Sequence, residues 1–154
     1  MSNGSGVTTV FVVRHAERDE SNPNDRDPHL TEAGRARAQA LAHVLGSAGV
    51  RAVYTSTFVR TQETAQPLAS LKALQPVRLD QAAQLRQDIL SRHAGKVVLV
   101  VGHSDTGPEL IRLLGGGGFR IGEREFDRLF VVQVFGPGRA AVAELRYGAP
   151  SPFN

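Results

Sequence analysis

The chain has no cysteine, no tryptophan, a single methionine and two tyrosines among its 154 residues. Without thiols it has no disulfide, no thiolate nucleophile and no cysteine-based metal site. Long apolar runs are missing as well. None approaches the roughly 20 residues that a bilayer-crossing helix requires. The opening MSNGSGV has neither the basic nor the apolar region of a secretory leader. The expectation is a soluble cytoplasmic protein with no membrane partner. Aromatic residues make up only 6% of the chain, and its basic residues, nearly all arginine, are scattered rather than gathered. The net charge of +3 therefore lacks the clustered footprint and the stacking platforms of a specific nucleic-acid binder.

What is present is an ordinary globular balance, 41% hydrophobic and 21% charged, long enough for one domain with a real core over residues 1–154. TTVFVV, residues 8–13, reads as a strand buried on both faces. A polar loop follows. In LTEAGRARAQALAHVLGSAG, Thr31 is placed to cap a helix whose Ala38, Leu41, Ala42 and Leu45 share one face, with Gly46 or Gly49 ending it. VRAVYTS is a second strand, and FVRTQETAQPLASLKAL a second helix with a proline near its middle or a break there. PVRL offers a short third strand, DQAAQLRQDILSRHAG a helix, and KVVLVVG the strongest strand of the chain. Residues 105–114 read as a helix stopped by the glycines at 115–118. RLFVVQVF and AAVAELRY flank Gly136-Pro137-Gly138 as a hairpin. Strands alternating with helices predict an α/β three-layer sandwich. Its mixed sheet is mostly parallel, with an antiparallel edge from the hairpin and helices on both faces.

Ligands of open α/β sheets lie beyond the carboxyl ends of the strands. Three predicted strands end there on reactive groups: Arg14-His15, Thr55-Ser56 with Arg60 one helical turn on, and Gly102-His103-Ser104. Two converging guanidiniums match the charge and shape of a phosphoryl group. The helix N-termini after Ser56 and His103 are expected to add N–H donors. An imidazole with a free nitrogen can carry a phosphoryl group, and a second one can donate to its oxygens. The chemistry predicted is phosphoryl transfer through a phosphohistidine, without metal or cofactor, because converging arginines repel a divalent cation.

Four segments in order, VVRHAER, LTEAGRARAQALA, YTSTFVRTQETA and VLVVGHSDT, resemble the histidine phosphatase superfamily, the group that includes phosphoglycerate mutases and histidine acid phosphatases. The resemblance runs from residue 8 to about 113. Ala16 stands where the signature usually has glycine. The resemblance implies His15 as the phosphoryl-accepting nucleophile and Arg14, Arg60 and His103 as the other phosphate-binding residues. It implies the same mixed α/β sheet, and compact size points to the small phosphatases of the group. Its two branches place the proton donor differently, and neither pattern is met cleanly. Asp105, beside His103, is placed first, with Asp80 and Glu17 open.

A phosphorylated small molecule or a phosphohistidine protein is the expected substrate. A non-catalytic phosphate-binding module and a mutase-type transferase are the alternatives. Specificity is expected from loops 18–30 and 115–127, with Arg18 and Arg26 near the site mouth or simply loop charges. His29, His43 and His93 read as surface residues. The oligomeric state is left open.

Overall fold

The computed structural model describes residues 6–152; residues 1–5, most of the stretch read above for a leader, lie outside them. In chain order the elements are β1 (Thr8–Arg14), α1 (Glu32–Leu45), β2 (Val50–Thr55), α2 (Val59–Lys72), β3 (Val77–Arg78), α3 (Ala82–Arg92), β4 (Val97–Gly102), α4 (Thr106–Leu114), β5 (Arg128–Gly136) and β6 (Arg139–Arg146). The strands form one six-stranded sheet in the order β3-β2-β4-β1-β5-β6. β3, β2, β4 and β1 run parallel, while β5 pairs antiparallel with both β1 and β6. This is the mixed sheet expected from the sequence, with the hairpin as its antiparallel margin.

β4 and β1 lie at the centre because both are apolar on both faces. Val10, Val12, Val98 and Val100 pack with Leu85, Ile89, Leu110 and Leu114 of α3 and α4. Val13, Leu99 and Val101 pack on the opposite face with Leu41 and Leu45 of α1 and Leu68 of α2. Each fully buried leucine contributes about 1.5–3 kcal/mol through its burial. Register places Arg14 beside Gly102, so the last residues of β1 and β4 finish side by side.

Thr31 caps α1 as expected, its hydroxyl accepting from Gly34 N at 3.0 Å, and Gly46 closes the helix. Gly34 is required for another reason: a Cβ there would meet the Glu17 carbonyl at 2.2 Å, so glycine lets α1 press against the chain just beyond β1. Of the two readings open for α2, a proline near its middle or a break, the first holds: the helix runs unbroken through Pro67. The helix persists because Ala65, Leu68 and Ala69 are buried around the proline, and that packing offsets the lost N–H. β3 is only two residues long, yet the Leu79 N–H extends the pairing to Thr55 O at 2.8 Å and carries Asp80 towards the end of β2. Among the described residues no helix is long and apolar enough to cross a membrane.

Candidate active site

The strand ends open into a cleft of about 550 Å³ lined by Arg14, His15, Ser56, Arg60 and His103, with Arg18, Phe58, Asp80, Ser104, Asp105, Thr106 and Glu123 around them. The four residues singled out as a phosphate cup thus meet in one place. The His15 and His103 ring centroids lie 5.4 Å apart, their planes inclined at 62°.

His15 is 2% exposed, and its Nδ1 lies 2.8 Å from the Ala16 carbonyl. A carbonyl can only accept, so Nδ1 carries the hydrogen and Nε2 keeps a lone pair. Burial, reinforced by Arg14, His103 and Arg60, pushes the imidazole down to about 3 against the carbonyl's opposing pull. The ring is therefore neutral at physiological pH. Thr64 holds the same peptide from the other side: Ala16 N donates to Thr64 Oγ1 at 2.8 Å, and that hydroxyl donates to Arg60 O at 2.7 Å. One fully buried threonine thus fixes the backbone of the nucleophile candidate and of the cup arginine together.

Arg14 lies against the Phe126 ring, 4.2 Å from its centroid, while Nη1 donates to the carbonyls of Gly122, Glu123 and Glu125 at 3.2, 2.8 and 3.1 Å. Its Nε has no partner among the described residues. The carbonyls moderate the buried strand-end charge without satisfying it. Arg60 stacks on the Phe58 ring at 4.4 Å, and its buried Nε and Nη1 have no partner among the described residues. Desolvation lowers both guanidiniums from their usual value. Burying a guanidinium with unmet donors is costly, and an anion supplies what they lack.

His103 is set by Ser56, whose Oγ lies 2.9 Å from its Nε2 and 2.9 Å from Thr61 Oγ1. Burial, with Arg60 adding to it, lowers this imidazole as well. Gly102, just before it, admits Thr106 Oγ1 to 2.9 Å of where a Cβ would stand, and that oxygen accepts from His103 N.

Several expectations need correction. Leading into α2, the amides of Ser56, Thr57, Phe58 and Val59 are spent on Thr61 Oγ1, Asp80, Ser56 Oγ and Asp27, so these four are not offered to an anion. Glu17 faces elsewhere. Arg37 grips it with two 2.9 Å bonds, and its side chain lines a separate hollow with Glu20 and Phe126. Asp80 and Asp105 both reach the cleft wall. Asp80 accepts three hydrogen bonds from Thr57, whereas Asp105 accepts one, at Oδ1, from Thr106 N. Arg18 lines the cleft, but Arg26 lines an adjoining hollow. His29 and His43 are exposed as expected. His93 is half-buried with its ring edge-on to Tyr54, because α3 ends over that ring. Phe58, Thr106, Glu123 and Phe126 were not singled out as site residues; an aromatic at the start of a helix was the one usable sign, for Phe58.

The model of the histidine phosphatase superfamily (branch 1) matches residues 10–84. Phosphoserine phosphatase 1 of Hydrogenobacter thermophilus is 35% identical over 84 residues, 51% of this chain and 39% of that protein. A PE-PGRS family protein of Mycobacterium tuberculosis is 36% identical over 83 residues, 48% of this chain and 14% of that one. The chain thus spans well under half the length of these curated relatives. The protein histidine phosphatase SixA, solved with tungstate, superposes with a TM-score of 0.72 at 19% identity, over 90% of this chain and 96% of that one. YhfR of Bacillus stearothermophilus gives 0.70 at 20% identity, over 88% and 95%. These superpositions establish a common fold, and the family match covers the first part of the cup. In sequence over residues 10–84, and in fold over nearly its whole length, the chain is similar to the histidine phosphatase superfamily.

Proposed function

We propose that the chain is a metal-independent phosphatase, acting on phosphomonoesters or phosphohistidine through a phosphoryl group held transiently on His15. The observation that carries this reading is the neutral His15 ring, its Nδ1–H spent on the Ala16 carbonyl, beside guanidinium donors with no partner among the described residues.

His15 Nε2 attacks phosphorus in line and forms a P–N bond. The P–O or P–N bond to the leaving group breaks, its electron pair departing with that group. Arg14, Arg60 and His103 hold the equatorial oxygens, so positioning and charge stabilisation supply most of the rate. Water then attacks phosphorus and gives a proton to the carboxylate that served the leaving group, the bond to Nε2 breaks, and inorganic phosphate leaves with the imidazole neutral again.

Of the two carboxyls in the cleft wall, we assign the proton for the leaving group to Asp105. Its Oδ2 remains available, whereas both Asp80 oxygens accept from Thr57. The relatives' names cover phosphoserine and protein phosphohistidine, which supports this range of substrates without choosing within it.

The purified protein should release phosphate from 4-nitrophenyl phosphate with a chelator present, and His15→Ala should lower the rate by on the order of 10³ or more. Retained turnover in His15→Ala overturns the covalent route; binding without turnover in the unaltered protein favours a non-catalytic module.

A further inference from the structure

Beside the phosphate cup lies a second hollow, also about 550 Å³, walled by residues 18–28. Only Arg18 and Phe58 line both spaces. Together the two hollows are far larger than a phosphoryl group, and whatever joins them passes Phe58.

The Phe58 ring is held without being covered. Arg60 stacks against it at 4.4 Å, and the His103 ring meets it at 5.4 Å and 81°. Its amide donates to Ser56 Oγ at 3.2 Å, and its carbonyl accepts from Thr61 Oγ1 at 2.8 Å. Even so, Phe58 remains 38% exposed. The facing loop is equally built. Asp19, Asn22 and Asp25 each accept from the amide two residues on, at 2.9–3.0 Å. Arg18 bridges to Leu30, Leu30 N donates to Glu63, and Asp27 accepts from Val59 N. A fixed aromatic ring facing a pinned loop is a preformed wall, not a surface that closes by chance.

The geometry points to Phe58 and this hollow as the subsite for the leaving group, which we infer to be a planar aryl or heteroaryl ring. The inference rests on the cup's being the phosphoryl site and goes beyond it by naming the chemistry next to phosphorus. A phosphoryl oxygen bonded to Arg60 at about 2.8 Å sits beside a guanidinium that itself lies against Phe58. A ring attached through one oxygen or nitrogen then falls within the roughly 4.5–7 Å centroid separation at which aromatic pairs attract. An alkyl group gains only area there, while a flat ring also gains stacking.

The test is equilibrium binding of non-hydrolysable phosphonates to the whole chain. Methylphosphonate reports the cup alone. 2-Naphthylphosphonate should bind about tenfold tighter than it, and cyclohexylphosphonate should fall between them. Phe58→Ala should reduce the naphthyl advantage, measured against methylphosphonate in the same variant, below about threefold. Phe58→Leu, which keeps bulk and guards against misfolding, should do the same, and Phe58→Tyr should restore the advantage. Equal affinity for methyl and naphthyl ligands, or an advantage unchanged in Phe58→Ala, overturns the subsite. Cyclohexyl binding as tight as naphthyl binding overturns the planar requirement. Failure of methylphosphonate to bind overturns the cup reading itself and takes the subsite with it.

Discussion

Arg60 and Arg37 both project from helices and are both at least nine-tenths buried, 9% and 3% exposed, yet their surroundings are opposite. Arg37 spends its donors inside the protein. Nε and Nη2 take the two Glu17 oxygens at 2.9 Å, Nη1 takes Tyr147 O and Nη2 also takes Ala149 O, both at 2.8 Å. Burial works against that charge, but the Glu17 carboxylate outweighs it and the guanidinium is raised from its usual value. Among the described residues Arg60 has an aromatic ring, two unmet donors and no carboxylate bonded to it, and desolvation lowers it. The same side chain is fully paired in one region and left with open donors in the other. What separates them is whether the fold supplies the counter-charge.

Exchanging the two arginines is the strongest way to break that comparison. Arg60→Ala should lower kcat/KM for an aryl phosphate by about 10²–10³, with little loss of thermal stability, because it removes transition-state donors that the fold leaves unsatisfied. Arg37→Ala should instead cost about 3–5 kcal/mol of stability by leaving Glu17 unpaired. For a chain of this length that lowers Tm by roughly 6–20 °C. Thermal melts beside steady-state kinetics check both. If Arg60→Ala melts low and Arg37→Ala does not, the division is wrong.

Thr64 sharpens the comparison, since it ties Ala16 to the Arg60 backbone. Thr64→Val keeps the shape and loses both bonds, so kcat should fall about tenfold with KM nearly unchanged. Thr64→Ser should recover most of it. A change confined to KM contradicts a positioning role.

Two histidines give pH effects of opposite sign. His15 protonates near 6.5 when unfolded and at about 3 when folded, so acidification between those values favours the unfolded chain. Its stabilisation is full above 6.5 and is lost as pH falls towards 3. His29, raised by the Glu63 carboxylate 2.7 Å away, contributes below its unfolded value and loses that contribution as pH rises through its folded value. Imidazole NMR titrations should show His15 uncharged at pH 5 as the Nδ1–H tautomer, with His29 titrating above 6.5. Titration of His15 near 6.5 contradicts the buried cup.

Much of this was legible in the sequence because it rests on local rules. Two-face apolar runs marked the central strands, Thr31 announced its cap, and Gly136-Pro137-Gly138 announced the hairpin. His15, Arg60 and His103 could be read because each stands at or one turn beyond a strand end. The pairing of Glu17 with Arg37, 20 residues away, leaves no local mark, so the sequence leaves Glu17 open as a proton donor. The carbonyls that anchor Arg14 come from residues 122–125 and carry no side-chain signature at all. Pro67 left a continuous helix and a break both open, and packing across α2, which no local rule reports, decides for the continuous helix.

The most direct test is to quench the protein in turnover of a ³²P-labelled aryl phosphate and locate the label by peptide mass spectrometry. The account predicts a base-stable, acid-labile phosphoryl group on His15, absent from His15→Ala. Steady turnover with no label at His15, or label on His103 instead, contradicts it.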